Sequence, residues 1–374
     1  MKTFGIIILI ALLPLLPSAA QTPENSPYWR IIPHSYCCLR ASAPIVVDGK
    51  ADDADWHRAP WTADFVDIEG AGRPAPRFRT RVKMLWDETF FYVFAELEEP
   101  HVWARLLQRD TVIFHDNDFE IFVCPTGTNH TYYEYEVNAY NTVWDLFLLK
   151  PYRDGGPADN GWDIRGLRSA VFVHGTLNDP TDIDEGWSVE VAIPWAAFDR
   201  TPIRVDGTSR PVPPAPPVTG TSMRVNFSRV QWRHDAASGS YRKPAGQKED
   251  NWVWSPQGVI DMHRPEKWGW VYFLDQAAAC GAVRPEPRYD SHMALFRLYE
   301  AQKAHVRKHK HYAATLDELV LPSPFQALLG KARLDLRARG PQFTARCVIE
   351  HPDGSELHLT IDERSHLLTR KITP

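Results

Sequence analysis

The chain has 374 residues, 44% of them hydrophobic and 24% charged, a globular composition with room for one large or two ordinary domains. The formal net charge of -5 and the lack of a basic stripe exclude a nucleic-acid partner. Fourteen tryptophans mark a chain rich in β-structure, where most indoles serve as core.

Residues 1–20 read as a cleavable targeting segment. Lys2 gives the positive start, Phe4 to Leu16 the apolar run, and Ser18-Ala19-Ala20 the small-residue cleavage site. The run is short for a membrane span, so the expected product is exported, secreted or periplasmic, cut after Ala20 and without a span. Residues 21–43, with Pro23, Pro27 and Pro33, read as an extended lead-in. Pro44 to Lys50 predicts a short strand and turn, and Asp52 to Trp56 one helical turn that drops Trp56 into the core. Arg79 to Leu85 and Phe90 to Glu98 alternate as a hairpin around Trp86 to Thr89.

The most informative stretch is Asp110 to Leu149. Phe119, Ile121 and Val123 share one face of a strand, and Asp118, Glu120 and Phe122 the other. After turn residues 125–130, Tyr133, Tyr135, Val137 and Ala139 oppose Tyr132, Glu134, Glu136, Asn138 and Tyr140. The pair predicts an antiparallel hairpin with one core face and one face of carboxylates, an amide and rings. That mixture suits a sugar: the polar groups bond hydroxyls and the rings stack on C–H faces.

Further strands are expected at 164–173, 186–194, 223–232, 252–254 and 268–274, with residues 211–217 a proline-rich loop. Short strands between Gly, Pro and Asp turns define a mainly β fold, an antiparallel β-sandwich of jelly-roll or immunoglobulin-like type, over residues 44–275. Composition then changes, and residues 276–374 read as a small α+β domain. A helix over 291–311 is followed by a short helical turn at 315–319 and strands at 333–339, 343–350 and 355–361, with Pro352-Asp353-Gly354 as a hairpin turn.

Asp116, Asn117 and Asp118 offer oxygen ligands that suit calcium, and equally suit a capped turn. No metalloprotease, nucleophile-elbow or phosphate-cradling motif appears, so no organic cofactor is implied. The five cysteines, Cys37, Cys38, Cys124, Cys280 and Cys347, allow one bridge from the vicinal pair to Cys124 or Cys280, or buried free thiols.

Residues from about Ala43 to Leu274 resemble the family 9 carbohydrate-binding modules, in the stand-alone secreted form. The matching phrases are Ile45 to Lys50 with Trp56, Lys83 to Asp87, Phe91 to Ala95, Asp116 to Phe122 and Tyr133 to Asn138. Gly186 to Trp195, Arg224 to Arg229 and Trp254-Ser255-Pro256 continue the series. The resemblance implies a β-sandwich without catalysis of its own, structural calcium, and a mono- or oligosaccharide or polysaccharide chain end held between two rings. It places Phe114 at the first ring position and Trp254, with Trp252 in reserve, at the second. It places the hydroxyl-reading groups at Glu120 and Asn138. Glu136 stands where the family has an arginine, so this part of the pattern departs from the sugar-binding prototype. The C-terminal unit is similar to the globular part of type IV pilin-like proteins. The expected function is non-catalytic carbohydrate binding in support of polysaccharide breakdown, beside a glycoside hydrolase or surface complex. The alternatives are an interaction or scaffold protein with a vestigial sugar site, and a hydrolase of O-glycosyl bonds using the carboxylates of the hairpin.

Overall fold

Alternating side chains and frequent turn residues build most of this chain into one curled sheet. The computed structural model describes residues 27–200, 204–205, 208–209, 215–282, 289–321, 325, 329 and 332–373. The expected leader over 1–20 lies outside them. Among the described residues no helix is long and apolar enough to cross a membrane.

The strands are β1 (Ser35–Arg40), β2 (Val66–Asp67), β3 (Thr80–Trp86), β4 (Phe90–Glu98), β5 (Asp118–Cys124), β6 (Tyr132–Asn138), β7 (Val143–Leu148), β8 (Ala158–Asp159), β9 (Arg168–His174) and β10 (Gly186–Pro194). A two-stranded ribbon, β11 (Arg204–Val205) and β12 (Thr208–Ser209), precedes β13 (Ser222–Gln231), β14 (Asp250–Val253) and β15 (Gly269–Leu274). The main path runs β8-β7-β6-β5-β13-β15-β1-β3-β4-β10-β9, with β14 and β2 branching from β13. The sheet folds over on itself. Phe119, Ile121, Val123, Tyr133, Tyr135 and Val137 from one half share a core with Val82, Met84, Phe91, Val93, Val189 and Val191 from the other. The expected sandwich is therefore present, with the core face of the β5–β6 hairpin the one that alternation indicates.

Two predicted elements change. Residues 35–40 are not a lead-in but β1, parallel to both β15 and β3 in mid-sheet. Residues 44–50 are irregular rather than a strand. A buried carboxylate holds them: Glu190 accepts the Asp48 and Gly49 backbone N–H groups at 2.9 and 3.1 Å and Trp56 Nε1–H at 2.8 Å. Trp56 sits on α1 (Ala54–Arg58), the predicted helical turn, and is buried. Gly49 has φ of +89°, and a Cβ there would meet the Phe172 backbone nitrogen at 2.8 Å, so glycine is required. Glu190→Ala leaves two buried donors and the part-buried Asp48 N–H unmatched and is expected to cost ~2 kcal/mol in a denaturant melt, with Glu190→Gln milder.

The C-terminal unit holds α2 (Tyr289–His309) against a sheet of β16 (Arg333–Arg339), β17 (Gln342–Glu350), β18 (Glu356–Asp362) and β19 (Leu367–Ile372). The helix and first three strands match expectation; β19 is a fourth. A 3-10 turn at Leu316–Glu318 carries a capping box from Thr315 and Glu318. This unit docks on the sandwich through buried polar groups. Glu266 receives Arg153 Nη1 at 2.5 Å, Arg153 Nη2 at 2.9 Å, Tyr28 Oη at 2.6 Å and Asn129 Nδ2 at 3.0 Å. The adjoining Asp154 accepts Tyr299 Oη of α2 at 2.6 Å and Ser365 Oγ at 2.5 Å. Lys267 Nζ donates to Tyr289 Oη at 2.7 Å, and the His130 and His366 rings stack 4.4 Å apart.

The five cysteines are free thiols. Burial and a hydrogen bond with Cys280 push the Cys37 thiol up to about 12, so of the two partners considered for the vicinal pair, Cys280 is the one in contact.

Candidate functional site

The outer face of β5, β6 and β7 carries two different surfaces. At one end Phe122, Cys124, Tyr132, Leu146, Leu148 and Trp268 form a small apolar cluster. At the other lie the carboxylates. The register sets Glu120 opposite Glu136, Asp118 opposite Asn138, and Phe122 opposite Glu134. On the next strand Trp144 stands opposite Glu136. Phe114, in the 3-10 turn Ile113–His115, reaches the same place by donating its backbone N–H to Glu136 Oε2 at 3.2 Å.

Four acids are thus crowded together, and all are buried. Burial first, and the neighbouring carboxylates second, push Asp118, Glu134 and Glu136 well above the usual carboxylate range. Burial pushes Glu120 up to about 7, with a Ser228 hydrogen bond opposing it. Asp118 Oδ2 and Glu134 Oε2 are buried without a hydrogen-bond partner.

The expected site residues fare unequally. Phe114 is partly exposed and, with Glu120 and Glu136, belongs to this cluster. Asn138 lies beside it but has no capacity left. Its Nδ2 donates to Leu106 O at 2.9 Å and Asp116 Oδ2 at 3.1 Å, and its Oδ1 accepts the Tyr140 and Thr142 N–H groups. It closes a turn and reads no hydroxyl in this arrangement. Asp116 is engaged through one oxygen: its Oδ2 also takes the Arg105 and Leu106 N–H groups at 2.7 and 2.8 Å, while its Oδ1 is buried without a hydrogen-bond partner. Asp118 has a carboxylate oxygen within 4.8 Å of those of Glu120 and Glu136.

Trp252 and Trp254 are both buried. Trp252 pairs with Arg229 on the inner side of β13, and Trp254 packs against Phe227, Tyr36 and His34. Only 1% of Trp254 is exposed, so it offers no ring face to a ligand. Its edge borders a cleft of about 270 Å³ beside Tyr36 and Trp61. Of the residues that line it, Tyr36 donates Oη to Pro60 O at 2.6 Å, and Trp61 has Arg81 and Lys83 over its ring.

Alternation alone missed two indoles near the carboxylates. Trp144 is partly exposed, and its Nε1–H is buried and unpartnered. Trp232 donates Nε1–H to Phe114 O at 2.8 Å and is capped by Lys243. The signal for Trp144 is its register with Glu136, which becomes visible once β7 is recognised.

Residues 47–226 match the family described as "Carbohydrate family 9 binding domain-like". The match does not reach the C-terminal unit, and its pilin-like resemblance gains nothing from it. A solved structure of "a carbohydrate binding module family 9 (CBM9)" from Caldicellulosiruptor kristjanssonii, in complex with cellotriose, is 17% identical. It aligns with 67% of this chain and 98% of its own, at a TM-score of 0.41. The same module in complex with glucose gives 17%, 65%, 97% and 0.41. A putative carbohydrate-binding protein from Bacteroides uniformis is 16% identical over 64% of this chain and 99% of its own, at 0.46. A search of curated proteins finds no match.

Proposed function

We propose that the chain binds carbohydrate on the outer face of β5, β6 and β7 without cleaving it. The observation that supports this most is the family 9-like match over 47–226, which spans the carboxylate face and both partly exposed rings beside it. In this reading the partly exposed rings of Phe114 and Trp144 stack on the sugar, above the buried carboxylates of Glu120 and Glu136. The chain is exported, to periplasm or medium, and supports polysaccharide breakdown alongside a glycoside hydrolase or surface complex. Mono- or oligosaccharides and polysaccharide chain ends are the ligand class.

A glycan array with the folded chain, with and without calcium, followed by calorimetry on any hit, tests the proposal. Trp144→Ala and Phe114→Ala are each expected to weaken a hit by roughly fivefold or more, since a stacked ring contributes about 1 kcal/mol beyond its burial. A second reading, an interaction protein whose sugar site has closed, is favoured by the saturated Asn138 and the buried Trp252 and Trp254. It expects a blank array from folded protein and a partner that maps beyond Asp275.

A further inference from the structure

His305, His309 and His311 gather at the end of α2. The first two stand one helical turn apart and so share a face. Lys310 then takes φ of +68° and donates its N–H to Val306 O at 2.8 Å, the left-handed residue that ends a helix. That turn swings His311 back over the same face. Ring centres are 4.3 Å apart for His305 and His309, 5.3 Å for His305 and His311, and 6.2 Å for His309 and His311. Imidazoles that share one zinc ion at about 2.1 Å have ring centres roughly 5 Å apart. The three rings are thus spaced to close on one ion, with the exposed His309 and His311 turning about their side-chain torsions to do so.

The ring nitrogens point the same way. His305 Nδ1 donates to Glu318 O at 3.2 Å, and His311 Nδ1 donates to Tyr312 O at 3.2 Å. A carbonyl only accepts, so both neutral rings keep their lone pair on Nε2. A ring N–H fixed on a backbone carbonyl is the usual support of a metal-binding imidazole. His305 Nε2 is buried and has no hydrogen-bond partner among the described residues. A buried lone pair without a donor is costly unless something electropositive faces it.

The backbone around the rings is held in place. Gln302, buried on α2, donates Nε2–H to Ala313 O and accepts the Ala313 N–H, both at 2.9 Å. Tyr312 packs its ring on Phe343 of β17, 5.0 Å between centres. The capping box of Thr315 and Glu318 fixes the turn whose carbonyl orients His305. Arg307, Lys308 and Lys310 stand beside the rings, so net charge does not draw a cation here. The nitrogen lone pairs and the negative end of the α2 dipole do.

We propose that His305, His309 and His311 bind one divalent transition metal of the zinc class, copper(II) and nickel included, and so staple the end of α2 to the turn that follows it. Three imidazoles without a carboxylate suit these metals and disfavour calcium and magnesium, which take oxygen. Three protein ligands leave the fourth tetrahedral position to water. The site lies in the C-terminal unit, outside residues 47–226, and does not rest on the carbohydrate reading.

The full chain, without an added histidine tag and stripped with EDTA, is titrated with zinc by calorimetry, and its melting temperature is followed. One zinc per chain, a raised melting temperature and no competition from excess calcium are expected. His309→Ala and His311→Ala, both at exposed positions, should each weaken zinc binding by roughly tenfold or more. Both should melt as wild type does in EDTA, which separates a ligand from a residue needed for folding. His351→Ala, at an exposed histidine elsewhere in the same unit, should leave zinc affinity unchanged. No heat and no melting shift at submillimolar zinc with folded protein would overturn the proposal. Wild-type affinity in either His309→Ala or His311→Ala would overturn it too. So would zinc that stays bound in the His305→Ala, His309→Ala, His311→Ala triple variant and is displaced by calcium, which would place the ion on carboxylates.

Discussion

Glu266→Ala is expected to lower the melting temperature by on the order of 10 °C and to loosen α2 from the sandwich. Glu266 is the acceptor at the centre of the docking network, taking Arg153 twice, Tyr28 and Asn129. Removing it takes the nearest carboxylate from the Arg153 guanidinium, which is 3% exposed beside Phe296 and Tyr299, and leaves it Asp154 at 3.6 Å. Breaking a buried pair from one side costs about 3–5 kcal/mol, chiefly the cost of the charge left behind. Replacing both partners, as in Arg153→Met with Glu266→Leu, should recover most of that loss. Burial alone would raise the Glu266 carboxyl, but the Arg153 charge and hydrogen bonds, with Arg264 and Tyr28, bring it down to about 2. A folded value below the unfolded one means stability present above the unfolded 4.5 and lost as pH falls toward 2. That shift corresponds to on the order of 3 kcal/mol. The wild-type stability curve should fall across this window, and the Glu266→Ala curve should lack this component. Hydrogen exchange along α2 reports whether the loss is in docking; protection unchanged in Glu266→Ala would refute the role assigned here.

Local pattern carried the sandwich as far as neighbouring strands go. Alternation located β3 with β4, β5 with β6, and the inward faces of each, because a period of two is written in adjacent residues. It could not place β1. Ser35–Arg40 is short, follows three prolines, and takes its partner Gly269–Leu274 from far along the chain, in parallel, with no turn to announce it. β19 was hidden differently: Leu367–Ile372 has its apolar residues at the two ends, around an exposed Thr369-Arg370-Lys371, so it lacks an alternating buried stripe to read. The carboxylate face was legible for the same reason as the hairpin, and Phe114, Glu120 and Glu136 do meet there. What alternation leaves out is occupancy. Asn138 looked free, but its four hydrogen bonds include Leu106 and Asp116, from a loop whose path strand pattern does not specify.

Trp254→Ala is expected to cost about 3–5 kcal/mol of stability, as a large buried ring removed from a core does. Trp252-Val253-Trp254 alternates, which puts both indoles on one face, but parity does not say which face is the interior. The register decides it: Trp252 stands opposite Arg229, on the side of β13 that packs inward, and Val253 stands opposite Ser228, on the side of Glu120. Trp254 then lies 5.8 Å from Phe227 and 6.4 Å from Tyr36, ring centre to ring centre. Gly269 is matched to it, since a Cβ there would meet the indole at 2.4 Å, a contact against a fixed ring that cannot give way. A platform for sugar would behave oppositely under substitution: the ring would be exposed, its loss nearly neutral for folding, and ligand affinity would carry the whole effect. Denaturant melts of Trp254→Ala and Trp144→Ala side by side distinguish the two. Trp144, partly exposed at the strand next to Glu136, is expected to lose well under half as much stability as Trp254 while changing any glycan affinity. A Trp254→Ala chain as stable as wild type would return that ring to the surface and reopen the arrangement in which it faces Phe114.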